Sequence, residues 1–94
     1  MDDRQFHRIA KALSDPSRFE ILQRISSSNG EEVPCANLTD ICSVTKATLS
    51  HHLKELADAG LIDTRRESRF MYLTPRRDVL SAYLEELKHR LTNP

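Results

Sequence analysis

The sequence has few cysteines, no long apolar run and no net charge, and each absence excludes a class of protein. Two cysteines among 94 residues do not make a disulfide framework, so we expect reduced thiols. No apolar run approaches the roughly 20 residues of a bilayer-spanning helix. No basic segment precedes an apolar stretch at the N-terminus, as it does in a secretory signal. We therefore expect a cytoplasmic protein without a membrane partner.

A net charge of zero argues by itself against a nucleic-acid partner, but the charges are unevenly distributed. Residues 43–77 contain seven Lys/Arg and four Asp/Glu, whereas residues 1–42 contain five and seven. A contiguous basic third is typical of a local phosphate-binding surface. Because a solvated basic surface has the same composition, charge alone leaves both interpretations open.

Length and patterning predict a single domain over residues 1–94, without linkers or repeats. A domain of this size buries only about two-thirds of its unfolded surface, which favours a dimer. Asp15-Pro16 and Thr45 are helix-start signals, and Gly60 is a helix-stop signal. The predicted elements are helices from Asp2 or Asp3 to Leu13, Pro16 to Ile25, Ala36 to Cys42, Thr45 to Ala59 and Pro75 to Leu91, and strands Leu61 to Arg66 and Arg69 to Leu73 joined at Glu67-Ser68.

The predicted fold class is therefore mainly α with a β-hairpin wing, in the order α-α-α-α-β-β-α. Two short helices joined by a tight turn and followed at once by a hairpin form a winged helix-turn-helix. In such a fold the helix from Thr45 to Ala59 is the recognition helix, which enters the major groove of DNA.

The recognition helix has one apolar side, defined by Leu49, Leu53 and Leu56. The opposite side of its first two turns is small and polar, which suits base edges: lysine and hydroxyl groups bond bases, and a methyl group suits thymine. A helix with no groove to enter more often carries long Glu/Lys pairs. The predicted reading residues are Lys46, Ala47, Thr48, Ser50 and His51. His52 lies at the edge of the apolar side, so we predict a packing and hydrogen-bonding role for it.

Arginines cluster around the turn of the hairpin. Arg65, Arg66 and Arg69 lie where a wing contacts the flanking minor groove or the phosphate backbone. The same charges also serve to blunt an exposed edge strand, and the two roles are compatible. Arg76 and Arg77 are weaker phosphate candidates, because they face the positive end of their own helix dipole.

The sequence resembles the ArsR/SmtB family of bacterial winged-helix repressors. The resemblance is carried by ALSDPSRFEIL at 12–22, TLSHHLKELADAGLI at 48–62 and RRESRFMYL at 65–73, and extends from about Ile9 to Leu91. It implies DNA contacts at the five reading residues and at Arg69. It also implies a homodimer, joined through the first and last helices, on an imperfect inverted repeat near a promoter. Apolar residues on those two helices fit such an interface: Phe6, Ile9, Leu80, Tyr83, Leu84, Leu87 and Leu91.

The sequence departs from this family at the wing tip and at the effector sites. Ser68 stands where the family usually has glycine. The arsenic-type CysXCys sequence would align near Cys35, which is alone, and the zinc-type set needs a histidine where Leu80 stands. The position of Cys35 near a predicted helix start would lower the pKa of its thiol, and Cys42 is expected to be a core thiol. We predict no metal, no cofactor and no recognised effector.

The sequence thus predicts a sequence-specific transcriptional regulator, a homodimeric repressor that binds double-stranded operator DNA. Two alternatives stay open: a winged-helix protein-interaction module, and a metal- or thiol-sensing repressor with a non-standard site. An enzyme is not expected, because no Ser/His/Asp, Cys/His or paired-carboxylate arrangement stands in a plausible pocket.

Overall fold

The computed structural model describes residues 1–41 and 45–92, and its elements follow the order of a winged helix-turn-helix. The chain forms helices α1 (Asp3–Leu13) and α2 (Pro16–Ser26), strand β1 (Val33–Pro34), a 3₁₀ helix (Cys35–Leu38), helix α3 (Lys46–Asp58), strands β2 (Ile62–Glu67) and β3 (Phe70–Pro75), and helix α4 (Arg77–Thr92). The predicted fold class is confirmed, with differences at the third helix, the sheet and the start of the last helix.

The first three α-helices begin at the predicted signals. In each case a side-chain oxygen before the first turn accepts a hydrogen bond from a backbone N–H that has no partner within the helix. The acceptor–donor pairs are Asp2 with Gln5 (2.7 Å), Asp15 with Arg18 (2.9 Å) and Thr45 with Thr48 (3.1 Å).

Helix α3 ends at the predicted glycine. Gly60 has a φ of 83°, and its N–H donates to the Ala57 carbonyl at 3.0 Å while the Leu61 N–H donates to the Leu56 carbonyl at 3.0 Å. This pair of bonds is the Schellman motif. A Cβ at Gly60 would lie 2.9 Å from the Gln5 Nε2, the end of a flexible side chain that can move aside, so the positive φ is what favours glycine here. The reversal brings the chain directly into β2.

The predicted third helix is wrong in type and extent. Cys35–Leu38 forms a 3₁₀ helix rather than an α-helix, Thr39 and Asp40 form a turn, and the 3₁₀ conformation recurs at Ile41. The residues before this segment are extended, because Val33 pairs with Leu73 in an unpredicted strand. The Thr39 hydroxyl donates back to the Ala36 carbonyl at 3.1 Å, a local bond that competes with helix continuation. The predicted core thiol, Cys42, lies outside the described residues.

Helix α4 starts later than predicted, at Arg77 rather than at Pro75. Pro75 is still paired with Ile62 in the β2–β3 ladder, and the Arg76 N–H donates to the Leu61 carbonyl at 2.8 Å. Strand pairing therefore takes precedence over the cap-then-proline signal.

The sheet has the strand order β1-β3-β2, and the hairpin of β2 and β3 forms the wing. Glu67 pairs with Phe70, so the turn consists of Ser68 and Arg69. Ser68 has a φ of 57°, the left-handed conformation that glycine adopts most readily. Every residue of β2 after Ile62 is exposed, so the wing projects away from the core.

The core lies between the helices and the base of the sheet. Its largest fully buried side chains are Ile9, Ile21, Ile25, Leu38, Ile41, Leu56, Leu61, Ile62 and Leu73. Within residues 1–41 and 45–92, no helix has the length and apolar character needed to cross a bilayer.

Candidate nucleic-acid interface

The first two turns of α3 present the predicted reading residues to solvent. Lys46, Ala47, Thr48, Ser50 and His51 are all exposed. Leu49, Leu53 and Leu56 on the other side are at most 4% exposed. The Thr45 hydroxyl donates to Thr48 Oγ1 at 3.0 Å, so the Thr48 hydroxyl proton is not used in this bond. This end of α3 is therefore a small polar surface anchored by an apolar base.

The wing and the start of α3 face each other across an open cleft with a volume of about 350 Å³. We call it the wing cleft. Arg66 and Arg69 of the wing and Lys46 and Ser50 of α3 contribute its polar part. The rest of its lining is Pro34, Cys35, Ala36, Thr39, Leu49, Phe70 and Met71. The structure thus brings the reading residues and two of the predicted wing arginines into one surface.

The third predicted wing arginine lies elsewhere. Neighbouring side chains on a strand point to opposite faces, and Arg65 points away from the cleft that Arg66 lines. Its guanidinium bonds both oxygens of Glu32, at 2.7 and 2.9 Å, and lies 4.6 Å from the ring centre of Tyr72. Arg65 also holds the pKa of the Glu32 carboxyl below its ordinary value. The predicted DNA contact of Arg65 stays a prediction, but because its charge is already paired on the face away from the cleft, we leave it out of the surface proposed below.

Within residues 45–77, the described part of the basic third of the sequence, most other cations are neutralised by neighbouring carboxylates. Lys54 bonds Asp58 at 2.9 Å. Arg76 bonds Asp78 at 2.9 and 3.0 Å and Asp63 at 3.3 Å, and it lowers the pKa of Asp78 to about 2. Within the described residues, the cations of this segment that make neither a salt bridge nor a hydrogen bond are Lys46, Arg66 and Arg69. The unpaired positive charge of residues 45–77 is therefore concentrated at the wing cleft.

A buried polar cluster holds α3 against α2. His52 is 6% exposed and Arg18 is 8% exposed, and Arg18 Nε donates to His52 Nδ1 at 3.3 Å. Because Nδ1 accepts, the His52 proton is on Nε2, which lies 4.0 Å from Asp15 Oδ1. Burial lowers the pKa of His52; Asp15 opposes this shift, and Arg18 and His51 add to it. The packing and hydrogen-bonding role predicted for His52 is confirmed.

The sequence analysis missed Arg18. An arginine in the first turn after Asp-Pro is expected at the surface, and the local sequence contains no sign of its partner 34 residues later. Its Nη1 also donates to the Lys11 carbonyl at 3.5 Å. Within the described residues, no buried side-chain nitrogen or oxygen lacks a partner, so the cluster is fully satisfied.

The cluster predicts how stability depends on pH. A histidine whose pKa is lower in the folded state loses stability as pH falls below its ordinary value of 6.5, because the unfolded chain then binds the proton first. We expect the free energy of unfolding of the wild type, measured by urea denaturation, to fall between about pH 7.5 and 5.5, by at most about 1.4 kcal/mol per pH unit for one proton. In His52→Gln, which keeps an acceptor for Arg18, this dependence should be absent.

The adjacent histidine provides the control for this experiment. His51 is exposed, so His51→Gln should retain the wild-type pH dependence. Carboxylates with lowered pKa values, such as Asp15 and Asp58, lose their contribution to stability only as pH falls below about 4, outside this window. If the free energy of unfolding of His52→Gln fell with pH as steeply as that of the wild type, the assignment of this pH dependence to His52 would be contradicted.

The predicted interface residues divide into core and surface. Ile9 is fully buried, and Phe6 and Tyr83 are each 7% exposed, with the Phe6 and Tyr83 ring centres 5.2 Å apart. These three residues pack α1 onto α4 within the chain and have almost no surface for a partner, so their assignment to an interface is corrected. Leu84 and Leu91 are 54% and 77% exposed. Leu80 and Leu87 are half-buried and complete one apolar stripe along α4.

The remaining candidate ligands do not form a site. Cys35 is a half-buried free thiol, and burial raises its pKa although Arg66 opposes the shift. The expected lowering of this pKa is therefore wrong, because the residue lies against the sheet rather than at the start of an α-helix. Among residues 1–41 and 45–92, no three His, Cys, Asp or Glu side chains come together in a way that could hold a metal ion.

Comparison with known proteins identifies the family. A family model described as a helix-turn-helix domain matches residues 13–65. YceK of Bacillus subtilis, an uncharacterized HTH-type transcriptional regulator, is 41% identical over 88% of this chain and 82% of its own length. The arsenical resistance operon repressor of Staphylococcus xylosus is 41% identical over 77% of this chain and 67% of its own length. The chain belongs to the ArsR/SmtB family of winged helix-turn-helix transcriptional regulators.

This ArsR-family chain is accordingly a DNA-binding transcriptional regulator. Its fold agrees with that of an ArsR-like transcriptional regulator from Rhodococcus sp. RHA1. The TM-score is 0.80 at 20% identity, over 95% of this chain and 81% of that one. At this identity the comparison concerns the fold alone.

Proposed function

We propose that this regulator is a homodimeric repressor, acting in the cytoplasm, that binds an imperfect inverted repeat at a promoter. The whole chain then serves as one DNA-binding and dimerisation domain. The S. xylosus relative is named a repressor, which supports repression rather than activation. The side chains proposed to read base edges are Lys46, Ala47, Thr48, Ser50 and His51, with Arg66 and Arg69 on phosphates or in the minor groove.

The main support for this proposal is the division of the basic residues into those that form salt bridges and those that do not. Within residues 45–77, the cations that make neither a salt bridge nor a hydrogen bond all lie at one place, between α3 and the wing. A phosphate backbone running between the major groove and the next minor groove passes between a recognition helix and its wing. This arrangement supports phosphate contacts for Arg66 and Arg69 next to the proposed reading residue Lys46.

The homodimer is supported by the uncovered stripe of α4. Leu80, Leu84, Leu87 and Leu91 recur at helical spacing, and the two most exposed of them rank among the most exposed large apolar side chains. A second copy related by a two-fold axis would cover the stripe with the same stripe. Such a dimer presents two recognition helices, which matches the symmetry of an inverted repeat.

The wing arginines test the proposal through the salt dependence of DNA binding. We expect Arg66→Gln to reduce the steepness of log K against log[salt] by about 0.9 for each lost phosphate contact. The same change at Arg65, its neighbour on the other face, should leave the slope unchanged. Fluorescence anisotropy on a site obtained by selection from random double-stranded DNA measures both. Binding that is insensitive to salt, or equal effects of the two variants, would contradict the proposal.

A further inference from the structure

The wing cleft has a substantial apolar part that phosphate binding does not use. Its volume of about 350 Å³ lies at the lower end of the range for small-molecule sites, which combine apolar walls with a few placed polar groups. Phe70 on its rim is 50% exposed, and Met71 and Leu49 contribute further apolar lining. An apolar molecule that covered Phe70 would remove a large aromatic surface from water.

All the charged side chains among the described lining residues of the cleft are positive. Lys46, Arg66 and Arg69 line it, and none of its described lining residues is an Asp or Glu. The carboxylate of Glu67 at the end of β2 is bonded to Arg65 at 3.4 Å, on the face opposite to the cleft. Arg69 has its guanidinium 5.3 Å from the ring centre of Phe70, so a cation and an apolar ring lie side by side. This pairing complements a molecule with an anionic group on an apolar body.

We propose that the wing cleft is a binding site for a small organic anion, a carboxylate or sulfonate on an apolar body, and that this ligand excludes DNA. Exclusion follows because Lys46, Ser50, Arg66 and Arg69 line the cleft and also belong to the proposed DNA-contact surface. The ligand therefore acts as an inducer by occlusion, without a conformational change. This second part rests on the proposed function, whereas binding itself does not.

The binding test uses anilinonaphthalene sulfonate, an aromatic sulfonate whose fluorescence rises in apolar sites, with DNA-free protein. We expect Arg66→Gln to weaken its binding by about 10-fold or more, the usual effect of losing a charge-assisted hydrogen bond. Arg65→Gln, the matched control on the opposite face, should stay within about twofold of the wild type. N-phenylnaphthylamine, which lacks the sulfonate, should bind more weakly and respond equally little to both variants.

Other results of the titration would overturn the site. Binding that is unaffected by Arg66→Gln, or equally weakened by Arg65→Gln, would show that the cleft cations do not hold the anion. Binding that is lost instead in Leu84→Ser would place the probe on the apolar stripe of α4. Unchanged thermal melting of the Arg66 and Arg65 variants ensures that each comparison is between folded proteins.

A competition experiment separates this inference from the proposed function. In the wild type and in Arg65→Gln, the apparent Kd for DNA should rise linearly with sulfonate concentration, by the factor 1 + [sulfonate]/Kd of the sulfonate, and should not level off. If the protein binds the sulfonate in the cleft but binds no DNA, the ligand site is supported and the proposed function is contradicted. If the protein binds DNA but not the sulfonate, the proposed function is supported and the ligand site is contradicted. Simultaneous binding of both would overturn the exclusion.

Discussion

Replacing Lys46 and His51 together by alanine is expected to weaken binding to the selected operator by on the order of 100-fold, without lowering thermal stability. Each good base contact is worth about 1–3 kcal/mol of discrimination, and both side chains are exposed on the first two turns of α3. Because the buried side of the helix is untouched, the melting temperature should stay at the wild-type value. Anisotropy on the selected site and on a scrambled duplex measures affinity and specificity together.

The other lysine of α3 provides a matched control. Lys54 lies beyond the second turn and is bonded to Asp58 at 2.9 Å, so Lys54→Ala should change operator affinity by no more than about threefold. Scrambled DNA should lose much less affinity than the operator in the double variant, because the wing cations remain. Wild-type operator binding by Lys46→Ala/His51→Ala, or an equal loss in Lys54→Ala, would show that the reading surface has been misplaced.

Local signals predicted the helix boundaries of this chain well. Asp2, Asp15 and Thr45 each bond a backbone N–H three residues ahead, and Gly60 reverses the chain with a bond pattern that spans six residues. Such interactions depend only on adjacent sequence. The start of α4 was misplaced because its signal, at Pro75, competes with strand pairing to Ile62, which is not local.

The candidate site was only partly predictable, because it too depends on contacts between residues far apart in the sequence. Strand alternation requires Arg65 and Arg66 to point to opposite faces, but which of them faces α3 depends on the pairing of β2 with β3 and on Glu32, which lies 33 residues before Arg65. Helical periodicity likewise identified Phe6 and Ile9 as apolar. Whether such a stripe packs inside its own chain or against a partner depends on tertiary packing, and here Tyr83 covers Phe6.

The apolar stripe of α4 leads to the second large effect: Leu84→Glu should produce a folded monomer. Leu84 is 54% exposed, so the chain itself tolerates a carboxylate there. A two-fold interface loses the residue twice, and burying a leucine side chain is worth about 1.5–3 kcal/mol. We therefore expect dimer dissociation to become at least about 100-fold easier, as measured by analytical ultracentrifugation.

Ala82→Glu is the control, because Ala82 is also exposed on α4 and points about 160° away from Leu84; it should remain dimeric. The monomeric Leu84→Glu protein should bind the full inverted repeat no better than a single half-site, since its two recognition helices are no longer linked. Leu91→Glu, at the most exposed position of the stripe, gives an independent second test. If both variants dimerise as the wild type does, α4 is not the interface, and the symmetry argument for an inverted repeat loses its structural basis.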